Sequence, residues 1–253
     1  MGSEERRAAF VTGASYGIGA AAAGALARDG FDVAISDLRI DMLGDTVCSI
    51  EAAGARAVPI AFDLRSQDGI RQSIAEAARA LGRLDVLINN AGVPLPKPAL
   101  DITPSEWESV ISVNLTGTFF ISQQMGRYLI DNRRPGSIIS IASAHGVVGC
   151  AGQSMYGISK AGVIHMTRML AIEWAGYGVR VNAIAPGKVD TPSPSRQASV
   201  ANPEAREQLL ARIPLRRFAT AEEVAAMVCY LASPQAAYIT GQTLLLDGGL
   251  TAY

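Results

Sequence analysis

A chain of 253 residues, 49% hydrophobic and 18% charged, is long enough for a substantial buried core and has a globular rather than a disordered composition. A net charge of -1, with nothing more basic than the short cluster Arg212, Arg216 and Arg217, argues against nucleic acid or an anionic membrane as a partner. Cys48, Cys150 and Cys229 are scattered, odd in number and without metal-ligand spacing, so neither a disulfide framework nor a metal site is expected, and a reducing cytoplasm is.

The polar start, Met1 to Arg7, has no apolar signal-peptide core. The uncharged runs at 109–126 and 135–159 contain Asn, Gln, Gly or Pro and are expected to be buried elements rather than membrane spans. Short apolar runs at 8–12, 32–36, 57–62, 84–89, 137–142, 179–184 and 243–246 predict strands. Several are near-continuous, as in parallel strands covered on both faces. Helical patterns lie between them at about 17–29, 40–53, 67–81, 104–133, 154–176 and 220–232. This alternation predicts an α/β fold: a single domain over 1–253 with a doubly wound parallel sheet of about seven strands. Two proline-rich stretches, 93–98 and 186–214, break the rhythm. The second follows a strand's C-terminal end, so a substrate loop or lid is expected at about 187–216.

After the first strand comes Gly13-Ala14-Ser15-Tyr16-Gly17-Ile18-Gly19, opening the first helix. Gly13 permits a tight turn, Gly17 a close backbone approach to a ligand, and Gly19 packing of helix on strand. Backbone N–H groups at the helix start, aided by the helix dipole, would face a pyrophosphate. The turn therefore predicts dinucleotide binding, a purely structural turn being the alternative. Asp37 ends the second strand, where a carboxylate accepts hydrogen bonds from the adenosine ribose and repels a 2′-phosphate. Tyr16 stands where a basic residue could have met that phosphate. Both favour NAD(H) over NADP(H), although Arg39 could swing toward a phosphate. Asp63 and Leu64, ending the third strand, could line the adenine, or Asp63 could mark a helix entry.

Farther along, Tyr156 and Lys160 are four residues apart and share one helix face. A phenol ionises near pH ~10, and a nearby ammonium lowers that value. The pair can thus serve as a tuned general acid/base, or it can be an ordinary surface pair. Taken singly, Asn114 in an apolar helix, Ser143 at a strand end and the Pro186-Gly187 turn also have structural readings.

Taken in order, Thr12-Gly-x-x-x-Gly-Ile-Gly19, Asn89-Asn90-Ala91-Gly92 and Tyr156-x-x-x-Lys160 make the chain resemble the classical short-chain dehydrogenase/reductase family over essentially its whole length. The resemblance implies a Rossmann-like fold and hydride transfer between NAD(P) and a secondary alcohol or ketone. It implies a catalytic set of Asn114, Ser143, Tyr156 and Lys160. In that set Tyr156 exchanges a proton with the substrate oxygen and Ser143 hydrogen-bonds it. Lys160 lowers the Tyr156 pKa and holds the nicotinamide ribose, and Asn114 supports a relay water. The implied cofactor surface extends from the glycine turn (Gly13, Ser15, Tyr16, Gly17, Ile18, Gly19) through Asp37, Asp63 and Leu64 to Asn90, Ala91 and Gly92. Tyr156, Lys160, Pro186, Gly187, Val189 and Thr191 complete it around the nicotinamide. Thr240-Gly241 and Asp247-Gly248-Gly249 resemble the family's C-terminal signature, and the helices at 104–133 and 154–176 are implied to pair in a homotetramer.

Substrate candidates are Ser143, His145, Gln153, Tyr156 and Lys188, with Val93, Leu95, Ala144 and Cys150 beside them. Lys188 could meet a carboxylate or hydroxyl, or point to solvent; His145 could be a turn residue. A polar substrate such as a sugar, sugar acid or hydroxy acid is expected. The alternative is a 3-oxoacyl thioester on acyl carrier protein, an acidic partner that Arg127, Arg133, Arg134 and Arg168 could attract. The Tyr–Lys spacing is shorter than that of related enoyl reductases and disfavours reduction of a carbon–carbon double bond. A non-catalytic dinucleotide-binding regulator is a further reading, against which the complete catalytic set argues.

Overall fold

The protein was analysed as a computed structural model that describes residues 6–193 and 202–252. Seven strands, β1 (Arg7–Thr12), β2 (Phe31–Asp37), β3 (Ala57–Ala61), β4 (Val86–Asn89), β5 (Gly136–Ile141), β6 (Val179–Pro186) and β7 (Thr243–Leu246), form one sheet in the order β3-β2-β1-β4-β5-β6-β7. Every neighbouring pair is parallel. The helices are α1 (Gly17–Arg28), α2 (Gly44–Ala52), α3 (Gln67–Leu81), α4 (Pro104–Ile111), α5 (Thr118–Asp131), α6 (Ser154–Trp174), α7 (Pro203–Ala211) and α8 (Ala221–Ala232).

Strand side chains alternate between faces, and here both faces are apolar. Ala9, Val11, Val33, Ile35, Val86 and Ile88 pack beneath α1, α2 and α8, through Leu26, Ile50 and Val228. The intervening Ala8, Phe10, Ala34 and Leu87 pack beneath α3, α5 and α6, through Ile74, Met125 and Leu170. That is why the strands read as continuous apolar runs. Winding reverses between β1 and β4, so their C-terminal ends open into a crevice, the usual ligand site of such sheets.

Helix starts separate into capped and open. Ser66 accepts from Gly69 N–H at the start of α3. Thr103 with Glu106, and Thr220 with Glu223, form capping boxes on α4 and α8. By contrast, Tyr16 gives α1 no side-chain cap, and its first turn holds no acidic residue. The first N–H groups of α1 are therefore left for a ligand at the crevice.

Two expectations change. The predicted helix at 104–133 is divided into α4, a π-helical turn (Ser112–Gly117) and α5. Gly117 lies against the Leu64 carbonyl, and Thr118 Oγ1 donates to the Asn114 carbonyl at 2.9 Å. Tertiary contacts thus set the extra residue of the turn, which apolar periodicity does not reveal. The proline-rich stretch contains α7, because Pro203 occupies the first helical turn, where its missing N–H costs nothing, and Asn202 accepts from Glu204 N–H at 2.9 Å. The 194–201 part of the expected substrate loop lies outside the described residues. Among the described residues, no helix is long and apolar enough to cross a membrane.

Candidate active site

A cleft of about 710 Å³ runs along the C-terminal strand ends, from the glycine turn after β1 to the segment following β6. Gly17 has φ +62°, and a Cβ there would lie 3.3 Å from Thr191 Cγ2, so the turn and the 186–191 segment nearly meet across the cleft. Gly13 rests against Ala91, while Gly19 packs under the turn rather than lining the cleft. Asn90 Nδ2 donates to the carbonyls of Gly13 and Thr12 at 2.7 and 3.1 Å, and Thr12 Oγ1 accepts from the N–H groups of Asn90 and Ala91. These bonds lock the ends of β1 and β4 together.

At the end of β2, one Asp37 oxygen accepts from Ser15 Oγ at 2.6 Å and the other from Leu38 N–H at 2.8 Å. The nearby arginines are both held: Arg39 pairs with Asp41, and Arg65 Nε bonds both Asp63 oxygens at 2.9 and 3.0 Å. Hydrogen bonding from Arg65 keeps the Asp63 carboxyl below its usual range. Asp63, Leu64, Asn90, Ala91, Gly92, Pro186, Gly187, Val189 and Thr191 all line the cleft with Ser15, Tyr16 and Ile18. An uncapped helix start, glycine backbone and a carboxylate at the second strand end fit a pyrophosphate-linked dinucleotide.

The expected catalytic residues converge deeper in the cleft. Ser143 follows β5 and enters a 3₁₀ turn (Ala144–Gly146), its Oγ accepting from His145 N–H at 3.2 Å. That turn is pressed onto α6. A Cβ on Gly157 would lie 2.8 Å from the His145 carbonyl, and one on Gly146 would lie 2.8 Å from Ala161 N. The close packing fixes Ser143 relative to Tyr156. Lys160 is buried, donates to the Ile141 carbonyl at 2.7 Å and holds its Nζ 5.7 Å from the Tyr156 ring centroid.

Asn114 is fully buried in the π turn. Its Oδ1 accepts from Val93 N–H at 2.8 Å, and its Nδ2 donates to the Val93 carbonyl and to Ser159 Oγ at 3.0 and 3.2 Å. Ser159 in turn donates to the Tyr156 carbonyl at 2.7 Å. Ser159, Gly146 and Gly157 did not stand out in the sequence; two glycines flanking the helix start were the available signal. The result is a phenol and a serine facing the cleft, with a buried ammonium behind the phenol, which is an arrangement able to exchange a proton with a carbonyl or alcohol oxygen.

His145, Gln153 and Lys188 also line this end, together with Val93 and Leu95. The His145 ring stands edge-on to Tyr156, with centroids 6.4 Å apart. Burial, then the charges of Lys188 and Arg212, push its pKa down to about 4, so it is neutral near pH 7. Ala144 is instead buried and Cys150 is outside the cleft lining. Arg133 and Arg134 precede β5 and so lie at the sheet edge opposite the cleft, and Arg127 and Arg168, on α5 and α6, do not line it.

Residues 13–251 match a family model described as Enoyl-(Acyl carrier protein) reductase. The chain is 38% identical to the 3-oxoacyl-[acyl-carrier-protein] reductase FabG of Thermotoga maritima, over 97% of this chain and 98% of that protein. It is 37% identical to glucose 1-dehydrogenase of Gluconobacter oxydans, over 96% and 91% of the two chains. A crystal structure from Agrobacterium tumefaciens with bound NADP, assigned as a 2-deoxy-D-gluconate 3-dehydrogenase, superposes with a TM-score of 0.91 at 33% identity, covering 99% of this chain and 98% of that one. With the cleft described above, these likenesses show that the chain belongs to the short-chain dehydrogenase/reductase family and is an NAD(P)-dependent oxidoreductase interconverting a secondary alcohol and a ketone.

Proposed function

We propose that Tyr156 is the general acid/base of this oxidoreductase, that NAD(H) is preferred over NADP(H), and that the substrate is polar, of the sugar, sugar acid or hydroxy acid class. The bound nicotinamide supplies the hydride donor or acceptor. This chain's residues manage the proton. In the reductive direction Tyr156 gives its phenolic proton to the substrate oxygen, and in oxidation it takes that proton back. Ser143 donates a hydrogen bond to the same oxygen as negative charge develops on it. The buried Lys160 ammonium favours the phenolate, and Asn114 anchors the wall behind it. The single observation that carries the reading is the convergence of Ser143, Tyr156 and Lys160 on one cleft shared with the uncapped start of α1.

The cofactor preference rests on Asp37 at the ribose position, and the pairing of Arg39 with Asp41 and of Arg65 with Asp63 supports it. The NADP-bound Agrobacterium neighbour makes this a property to be measured for this chain. Polar lining by His145, Gln153 and Lys188 supports the substrate class, as does likeness to proteins named for glucose and 2-deoxy-D-gluconate. The four-residue step from Tyr156 to Lys160 supports carbonyl rather than carbon–carbon double-bond chemistry, against the description attached to the family model. The FabG likeness favours 3-oxoacyl thioester reduction as the second reading, in the absence of arginines lining the cleft mouth at the four positions first considered. We place the enzyme in the cytoplasm, with residues from about 187 to 216 as its substrate loop and the whole chain as one domain.

A screen of sugars, polyols, hydroxy acids and 3-oxoacyl thioesters with NAD(H) and NADP(H) in parallel tests all three parts. Turnover of polar alcohols with higher kcat/KM for NAD(H) is expected. Preference for NADP(H), or for the thioesters, contradicts the corresponding part.

A further inference from the structure

Resting on the polar-substrate reading, we propose that His145 and Gln153 form an uncharged hydrogen-bonding pair beside Tyr156 that binds a hydroxyl on the carbon next to the reacting carbon, so that the enzyme selects vicinal diols and α-hydroxy ketones over compounds lacking that hydroxyl.

The placement comes from Gly157, the residue after Tyr156. Its N–H donates to the Gln153 carbonyl at 2.7 Å, and a Cβ on it would lie 2.8 Å from the His145 carbonyl oxygen. The two residues thus reach one backbone position in the first turn of α6 from two different segments. His145 lies in the 3₁₀ turn after β5, where its N–H donates to Ser143 Oγ at 3.2 Å. Gln153 follows Gly152, whose φ of +71° turns the chain and whose carbonyl accepts from Lys97 N–H at 2.8 Å. Both backbones are therefore fixed, and both residues line the cleft with Ser143 and Tyr156.

Both side chains are half-buried. Among the described residues, neither the His145 ring nitrogens nor the Gln153 amide has a hydrogen-bond partner; the bonds these residues make are through backbone. Burial first, then the charges of Lys188 and Arg212, hold the His145 ring neutral near pH 7. A neutral imidazole presents one N–H donor and one nitrogen acceptor, and an amide presents two donors and one oxygen acceptor. A carboxylate, ketone or thioester oxygen only accepts, so it leaves both acceptors of the pair unused. A hydroxyl donates as well as accepts, and matches the pair. The imidazole stands edge-on to the phenol with centroids 6.4 Å apart, short enough for the two rings to serve oxygens on adjacent carbons. Lys188, which also lines the cleft, only donates and does not duplicate the pair. Val93 and Leu95 on the same lining offer no side-chain hydrogen bond.

The test compares matched pairs in the NAD(P)-linked assay: 2,3-butanediol against 2-butanol in oxidation, and 3-hydroxy-2-butanone against 2-butanone in reduction. The hydroxylated member is expected to have the higher kcat/KM in both pairs, by at least about tenfold. His145→Ala and Gln153→Leu are each expected to raise KM for that member about five- to tenfold more than for its partner, the loss of one neutral hydrogen bond. The NADH dissociation constant, measured by fluorescence, should stay within about twofold, which also reports that the variants fold. His145→Gln keeps a donor and an acceptor and should recover most of the loss. Equal use of the two members, variants that move both alike, or a change in NADH binding that matches the change in KM overturns the pair. So does turnover of sugars or polyols with neither butane pair used. Each of these leaves the polar-substrate reading standing if sugars, polyols or hydroxy acids are turned over. Turnover confined to 3-oxoacyl thioesters, or no turnover of any compound, overturns both.

Discussion

At the scale of single residues, recognition depends on which charges are already engaged. Asp37 holds Ser15 with one oxygen and a backbone N–H with the other, so it is fixed before a ribose arrives. Hydrogen bonds to a charged acceptor contribute about 1.5–3 kcal/mol. Asp37→Ala is therefore expected to narrow a preference for NADH over NADPH about tenfold or more, measured as the ratio of the two kcat/KM values; an unchanged ratio would mean that Asp37 does not select the cofactor. Asp37 was legible because its distance from the glycine turn is set by one helix and one strand. Its partner Ser15 was expected only as a member of the turn, since the bond depends on how that turn folds back. The neutral state of His145 was not legible. It arises from burial and from the charges of Lys188 and Arg212, which lie far from His145 in sequence.

At the scale of elements, the site is an assembly of strand ends joined by one polar chain with buried Asn114 at its middle. Val93 after β4, Asn114 in the π turn and Ser159 in α6 are linked in series, ending on the Tyr156 carbonyl. Removing the Ser159 hydroxyl leaves a buried Asn114 N–H unpaired, a loss of about 1–3 kcal/mol, and frees the first turn of α6. Ser159→Ala is expected to lower kcat about tenfold while NADH dissociation constants, measured by fluorescence, change little. Because the hydroxyl acts through Asn114, adding it to Asn114→Ala should cost little more than Asn114→Ala alone; fully additive losses would separate the two residues. The π turn explains why a periodicity argument found one helix at 104–133. Apolar spacing continues through the turn, and what interrupts it is the approach of Gly117 to Leu64 and the anchoring of Asn114.

At the scale of the molecule, the parallel sheet was readable because two-sided burial leaves strands without polar alternation. Helix α7 was hidden because five prolines suggest an irregular loop until one of them is seen to begin a helix. On the surface, Ile158, His165, Met169 and Ile172 follow helical spacing along one exposed face of α6, with Ile172 79% exposed. At the far edge of the sheet, Leu245 and Tyr238 are also exposed. Two such apolar surfaces support the homotetramer implied by family resemblance. Light scattering at micromolar concentration is expected to give four times the chain mass, and a monomer would contradict that assembly.

The central claim is that Tyr156 transfers a proton in this cleft beside the nicotinamide end of the bound dinucleotide. Tyr156→Phe isolates that step, because it removes one oxygen and keeps the ring. NADH affinity is predicted to stay within about twofold while kcat falls by at least about 10²-fold, the range of positioned acid/base catalysis. Undiminished turnover with cofactor bound would contradict the account.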